Sequence, residues 1–235
     1  MAGTNRSRLS YFELIIIMAA GKIVWTAYGL ADPLVQRPLT SWTAMGLIAT
    51  LGYLALTFSK QAGIPDLWSP SVSNIRRFLL PAGFGFGFGI LQIGLVLLQR
   101  IQVPMVPFPL SIPVYISVGI LSELILHFIP LAGILYSITL IRGGEKPGKT
   151  AVWTVLVLIS LWEPVLQVYM MLQMNLLPAP AAAVLPFLLI WAANILPLYF
   201  LKMYGLLAAV SWRLANYFVW HILWGMFSPA VLASL

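Results

Sequence analysis

The sequence predicts an all-α, polytopic transmembrane helix bundle of about seven spans, or eight, forming one integral membrane domain over residues 1–235. Three observations carry this expectation. Apolar residues make up 61% of the chain and charged residues 8%, against roughly 45–50% and about 25% in soluble domains. A mean hydropathy of +0.96 leaves too little polar surface to cover a water-soluble fold of this size. The apolar residues also fall in long runs, such as Leu14 to Met18 and Trp153 to Trp162. An outer-membrane barrel would instead show alternating hydrophobicity in short segments.

Crossing a hydrocarbon core takes about 20 apolar residues. Seven segments meet that length, at residues 11–30, 42–59, 78–99, 114–141, 151–175, 181–201 and 205–227. Proline and glycine mark the joints between them: Asp32-Pro33, Arg37-Pro38, the stretch from Pro104 to Pro113, Gly143-Gly144, and Pro178 to Pro180. The longest loop, from Lys60 to Arg77, is too short for a soluble domain.

Basic residues orient this layout, because Lys and Arg collect on the cytoplasmic side of inserted helices. Alternate loops hold nine of them, namely Arg6, Arg8, Lys60, Arg76, Arg77, Arg142, Lys146, Lys149 and Lys202, against Arg37 and Arg100 on the other side. The N-terminus is therefore expected in the cytoplasm and the C-terminus outside, in a bacterial plasma membrane. Arg6 and Arg8 before an apolar run, with Ala19-Ala20-Gly21 after it, also fit a secretory signal peptide. Glu13 and Lys22 interrupt that run, and its removal would spoil the charge alternation, so a retained first span is expected.

The net charge of +7 is spread over loops between apolar runs. This fits anionic lipid as the partner rather than nucleic acid. The absence of cysteine excludes disulfides, thiol nucleophiles and cysteine-ligated metals. A metal ion could be held only through His127, His221 and carboxylates.

Ionisable residues at membrane depth are costly and face the bundle interior or a cavity. Glu123 and His127 share one face of the fourth span at i, i+4. Glu163 and Gln167 have the same spacing on the fifth, with Pro164 loosening the backbone there. Arg213, Tyr217 and His221 form a stripe on the seventh. At 1.5 Å per residue these groups lie about 12 to about 27 Å from the cytoplasmic ends. One mid-membrane polar cluster is therefore expected, either as a structural ion-pair network or as a cavity where water and substrate meet.

The fourth span, from Pro113 to Leu131, carries Ser122-Glu123-x-x-x-His127. The chain closes on Lys202-Met-Tyr-Gly-Leu-Leu-Ala-Ala-Val-Ser-Trp-Arg213, followed by Tyr217 and His221. In order and spacing these segments resemble the signatures of the CAAX protease and bacteriocin-processing (CPBP) family of intramembrane proteases, over about residues 60–227. That family carries Glu-Glu-x-x-x-Arg at the first position, Phe-x-x-x-His in a following span, and His-x-x-x-Asn or His-x-x-x-Asp at the end. The resemblance implies a bundle in which the first glutamate activates water while the histidines orient it. In this chain Ser122 occupies the place of that glutamate, Glu123 holds the second place and His127 replaces the arginine. No histidine occurs between Leu156 and Asn175, and the last motif reads Arg213-x-x-x-Tyr217; moved onto His221 it ends at Gly225.

Two functions follow as expectations. The first is a divergent, noncatalytic CPBP-type protein that binds a membrane-protein partner as scaffold, chaperone or complex subunit. The second is an active intramembrane endopeptidase that takes a peptide substrate, uses Glu123 as general base and draws oxyanion donors from Arg213, Tyr217 or His221. Asn194 beside Pro197 reads as an interruption of the sixth span. Gly83, Gly85, Gly87 and Gly89 read as a packing surface in the third. Lys22 is expected to snorkel, to pair with Glu13, or to reach the cluster.

Overall fold

A computed structural model describes residues 2–28, 38–99, 105–173 and 183–233. Seven long helical stretches run through these residues. They are α1 (Ala2–Ala27), α2 (Trp42–Phe58), α3 (75–99), α4 (Ser111–Ile141), α5 (Lys149–Gln173), α6 (Val184–Tyr204) and α7 (206–233). No strand occurs among the described residues. Five stretches, within α1, α3, α4, α5 and α6, are long and apolar enough to cross a membrane, and α2 is a shorter apolar helix. Only 22% to 39% of each such 18-residue window is buried, and Ile16, Leu79, Leu98 and Ile141 stand on the outer surface. Apolar side chains therefore cover the outside of the bundle as well as its core, as an all-α membrane bundle requires.

The expected spans fall on these helices with shifted ends. Six extend further than their apolar runs: α1 begins at Ala2 rather than Tyr11, α3 at Ile75 rather than Phe78, α4 at Ser111 rather than Val114 and α5 at Lys149 rather than Ala151, while α6 reaches Tyr204 and α7 Ala233. Flanking residues continue a helix whose hydrogen bonds are already propagating. The expected ends at Leu30, Asn175 and Ala181 lie outside the described residues.

Local breaks follow proline and glycine. Glu123–Phe128 within α4 is a π-helical turn, directly before Pro130 at the start of the next α-helical segment. Pro130 has no N–H to give the preceding turn, and a widened turn accommodates that loss. Helix α5 is interrupted at Leu161, between Lys149–Ser160 and Trp162–Gln173. Pro164 removes the donor that the Ser160 carbonyl would otherwise use. Gly205, at φ 89°, separates α6 from α7, and a Cβ there would sit 2.8 Å from the Pro65 carbonyl oxygen. A positive φ and that close approach both require glycine.

Helix α7 packs along α3 and also touches α4 and α6, while α1 lies along α4. Gly85 and Gly89 make the first contact possible. A Cβ on Gly85 would run into the Trp212 carbonyl oxygen, and one on Gly89 would lie 2.6 Å from Val219 Cβ. Gly83 and Gly87 meet nothing within 4 Å and open onto a shallow outer groove flanked by Leu79, Leu80, Phe84 and Leu91. Only one of the two interleaved glycine pairs is therefore a packing surface. Gly21 serves α1 in the same way, because a Cβ there would lie 2.6 Å from the Pro113 carbonyl oxygen of α4.

The basic loops meet at one end of the bundle. The ring of Trp68 has the Arg6 guanidinium 4.0 Å and the Arg77 guanidinium 4.8 Å from its centroid, and its Nε1 donates to Ser10 Oγ at 2.7 Å. Arg77 Nη2 also donates to the carbonyls of Ser69 and Val72. Lys202 Nζ donates to the Gly63 carbonyl, and the Lys146 side chain approaches the same glycine. Thus the N-terminal helix, the loop before α3, the loop after α4 and the end of α6 share one surface. The core beneath them joins Met18, Leu124, Phe128, Leu135, Leu198 and Leu206.

Candidate functional site

Four helices deliver polar side chains to one buried point. Glu123 and His127 come from the π turn of α4, Glu163 from the first turn after the break in α5, Asn194 from α6 and Arg213 from α7. Arg213 Nε donates to Glu123 Oε1 at 2.6 Å. His127 Nδ1 lies 2.9 Å from Glu123 Oε2, and Nε2 lies 3.2 Å from Asn194 Oδ1. Arg213 Nη2 reaches Glu163 Oε2 at 3.3 Å and Asn194 Oδ1 at 3.4 Å. The chain of contacts ends at Gln167, whose Nε2 donates to Glu163 Oε1 at 2.6 Å.

Burial is nearly complete. Glu123 is 0% exposed, His127 and Asn194 1%, and Arg213 3%; Glu163 keeps 13% of its side-chain surface. Charges so placed are tolerated only when paired and hydrogen-bonded.

Glu123, His127, Glu163 and Arg213 thus meet as the spacing of the sequence leads one to expect. Tyr217 borders them: its ring centroid is 5.7 Å from Arg213 Cζ, and its edge packs on Gly119 of α4. His221 stands apart from the ion pairs. Its ring stacks on Tyr115 at 4.0 Å between centroids, meets Tyr217 edge-on at 4.7 Å, and points Nδ1 at Met105 Sδ, 3.4 Å away. The expected single cluster is therefore two adjoining groups, an ionic one around Arg213 and an aromatic one around His221, joined by Tyr217. The reason is the length of the α7 stripe, in which eight residues separate Arg213 from His221 and carry the histidine about 12 Å along the helix.

The two histidines are not placed side by side, and both ring nitrogens of His127 already face side-chain oxygens. Among the described residues no group of three or more His, Asp or Glu side chains is arranged to hold a metal ion. Lys22 does not reach the cluster. It is buried with its Nζ over the ring of Trp25, 4.7 Å from the centroid, because α1 turns that face toward the end of α4 where Trp25 packs with Val106, Val114 and Tyr115.

Two members of the polar interior are invisible to an argument built on charge. Asn194 marks an interruption in the sequence, yet α6 runs through it and through Pro197, and its amide joins two other helices, α4 at His127 and α7 at Arg213. Asn216 Nδ2 donates to Gln92 Oε1 at 2.7 Å and ties α7 to α3. An amide inside an apolar run is the available signal in both cases, since it must find a partner away from water.

No family model, no curated protein and no solved structure matches the chain. Its fold and site define an all-α membrane bundle built around a buried ion-pair network.

Proposed function

We propose that the chain is a noncatalytic membrane bundle of the CPBP type, in which the polar cluster locks the helices together and the protein acts by binding, as scaffold, chaperone or subunit of a membrane complex. In this reading all seven helices cross the bilayer, with the basic end in the cytoplasm and the C-terminus outside. The observation that carries it is the state of Glu123. A general base needs a lone pair free to reach a water, whereas one oxygen of Glu123 is taken by Arg213 and the other by His127, with the residue wholly buried.

One observation favours the competing reading of an intramembrane endopeptidase. Glu123 and His127 lie on a π-helical turn, and so does His221; such turns are frequent at functional sites. The two readings separate on Glu123→Gln. Membrane-protein termini are compared by mass spectrometry in cells holding equal amounts of wild type and variant, and complexes are purified from both. A noncatalytic binder gives identical termini and a membrane protein that copurifies with the wild type. Termini that appear only with Glu123 present would establish the peptidase.

A further inference from the structure

The Asn194 amide fixes the protons on its neighbour. Its Nδ2 donates to the Ile190 carbonyl at 2.7 Å, and its Oδ1 faces Arg213 Nη2 at 3.4 Å. Turning the amide over would set its NH2 against the guanidinium and its carbonyl against another carbonyl, so both neighbours select the same orientation. The atom 3.2 Å from His127 Nε2 is therefore a carbonyl oxygen, which can only accept. On the other edge of the ring, Nδ1 lies 2.9 Å from Glu123 Oε2. That carboxyl also takes a 2.6 Å bond from Arg213 on its other oxygen, the environment of an ionised carboxylate. A neutral imidazole has one donor nitrogen and one acceptor. Whichever tautomer it adopted here, it would turn a lone pair against an oxygen.

We propose that His127 is held as an imidazolium, so that the cluster is a proton-binding site buried inside the helix bundle. Charge balance agrees with the hydrogen bonds. With the proton bound, Arg213 and His127 offset Glu123 and Glu163; without it, a net negative charge is left in an apolar interior, which is costly. The charged and titratable groups around His127 are Glu123 on its own helix, Glu163 on α5 and Arg213 on α7, with Tyr217 and then His221 further along α7. Helix α2 packs on the π turn and carries Tyr53 as its only ionisable residue, α6 contributes Asn194, and the Tyr11 hydroxyl of α1 donates to the Ala49 carbonyl instead. Bound, the proton bridges α4 to α6; released, it leaves one of the two His127 contacts without a donor. Of the ion-paired side chains Glu163 keeps the most exposed surface. The inference rests on side-chain geometry alone and is independent of whether the protein is a scaffold or a peptidase.

Two histidines in the whole chain make the test direct. The full-length protein is labelled with nitrogen-15 in its histidine rings and reconstituted in lipid bilayers. His221→Phe keeps an aromatic ring on Tyr115 and leaves His127 as the sole source of signal. At neutral pH, solid-state NMR is expected to show both His127 nitrogens bonded to hydrogen. An unprotonated, pyridine-type nitrogen would overturn the proposal. If the variant does not fold, the wild type answers from two pairs of signals: one doubly protonated ring supports the site, and none overturns it. Replacing the carbonyl acceptor with Asn194→Leu is expected to shift the His127 ring toward the neutral form at the same pH. A fully protonated ring in that variant would contradict the part assigned to Asn194.

Discussion

Arg213 Nε lies 2.6 Å from Glu123 Oε1, with both residues buried and ninety positions apart in the chain. Through its Nη2 the same guanidinium reaches Glu163 on α5 and Asn194 on α6, so one side chain holds α7 to three other helices. Guanidinium suits this place because its planar fork donates in several directions and it stays charged when buried.

Replacing Arg213 by Met keeps an unbranched, apolar filling and removes the charge. Two buried carboxylates then lose their guanidinium, Glu123 keeping only His127, and the expected loss is about 3–5 kcal/mol of stability. Thermal or denaturant unfolding in detergent measures it, and an unchanged midpoint would mean that the network contributes nothing to the fold.

The glycines of α3 give a paired prediction. In Gly85→Ala the new methyl meets the backbone of Trp212, and helices that cannot approach as closely lose about 1–3 kcal/mol. Gly83→Ala meets nothing within 4 Å and is expected to be neutral or to gain up to about 1 kcal/mol from helix propensity. Equal effects of the two variants in the same unfolding assay would contradict the close contact between α3 and α7.

Trp68 anchors α1 to the loop before α3 through two guanidiniums and one hydrogen bond. Trp68→Phe keeps a ring under Arg6 and Arg77 but loses the bond to Ser10, for about 1 kcal/mol. Trp68→Ala loses the packing as well and is expected to cost about 3 kcal/mol or more. Limited proteolysis near the N-terminus should accelerate in the same order, and equal rates for the two variants would remove the anchor.

The orientation can be read by thiol labelling, since the chain has no cysteine of its own. Glu145 in the loop after α4 and Tyr28 at the end of α1 are both exposed. In intact cells a membrane-impermeant reagent is expected to label Tyr28→Cys and to leave Glu145→Cys untouched until the cells are opened. The reverse pattern would invert the bundle.

Much of this architecture was legible in the residues themselves. Long apolar runs located the helices, and the costly charges at Glu123, His127, Glu163 and Arg213 pointed to one another because a charge at that depth must be paired. What escaped was decided by geometry that periodicity does not encode. The π turn follows from Pro130, a local effect that apolar periodicity does not register, and α6 continues through Pro197 although a proline reads as a break. Asn194 carries no charge, so the only signal is that a buried amide must find a partner, and packing decides which partner it meets. His221 went the other way, since its spacing fitted the stripe on α7 while its distance along the helix delivered it to Tyr115.

The claim that the cluster is a closed lock is tested most directly by a double-mutant cycle on Glu123 and Arg213. Stability is measured for wild type, Glu123→Gln, Arg213→Met and the two together. Partners in one buried network are expected to be coupled by about 1–3 kcal/mol, the double variant losing less than the singles summed. Losses that add to within about 0.5 kcal/mol would show that the two side chains act independently, and would contradict the lock.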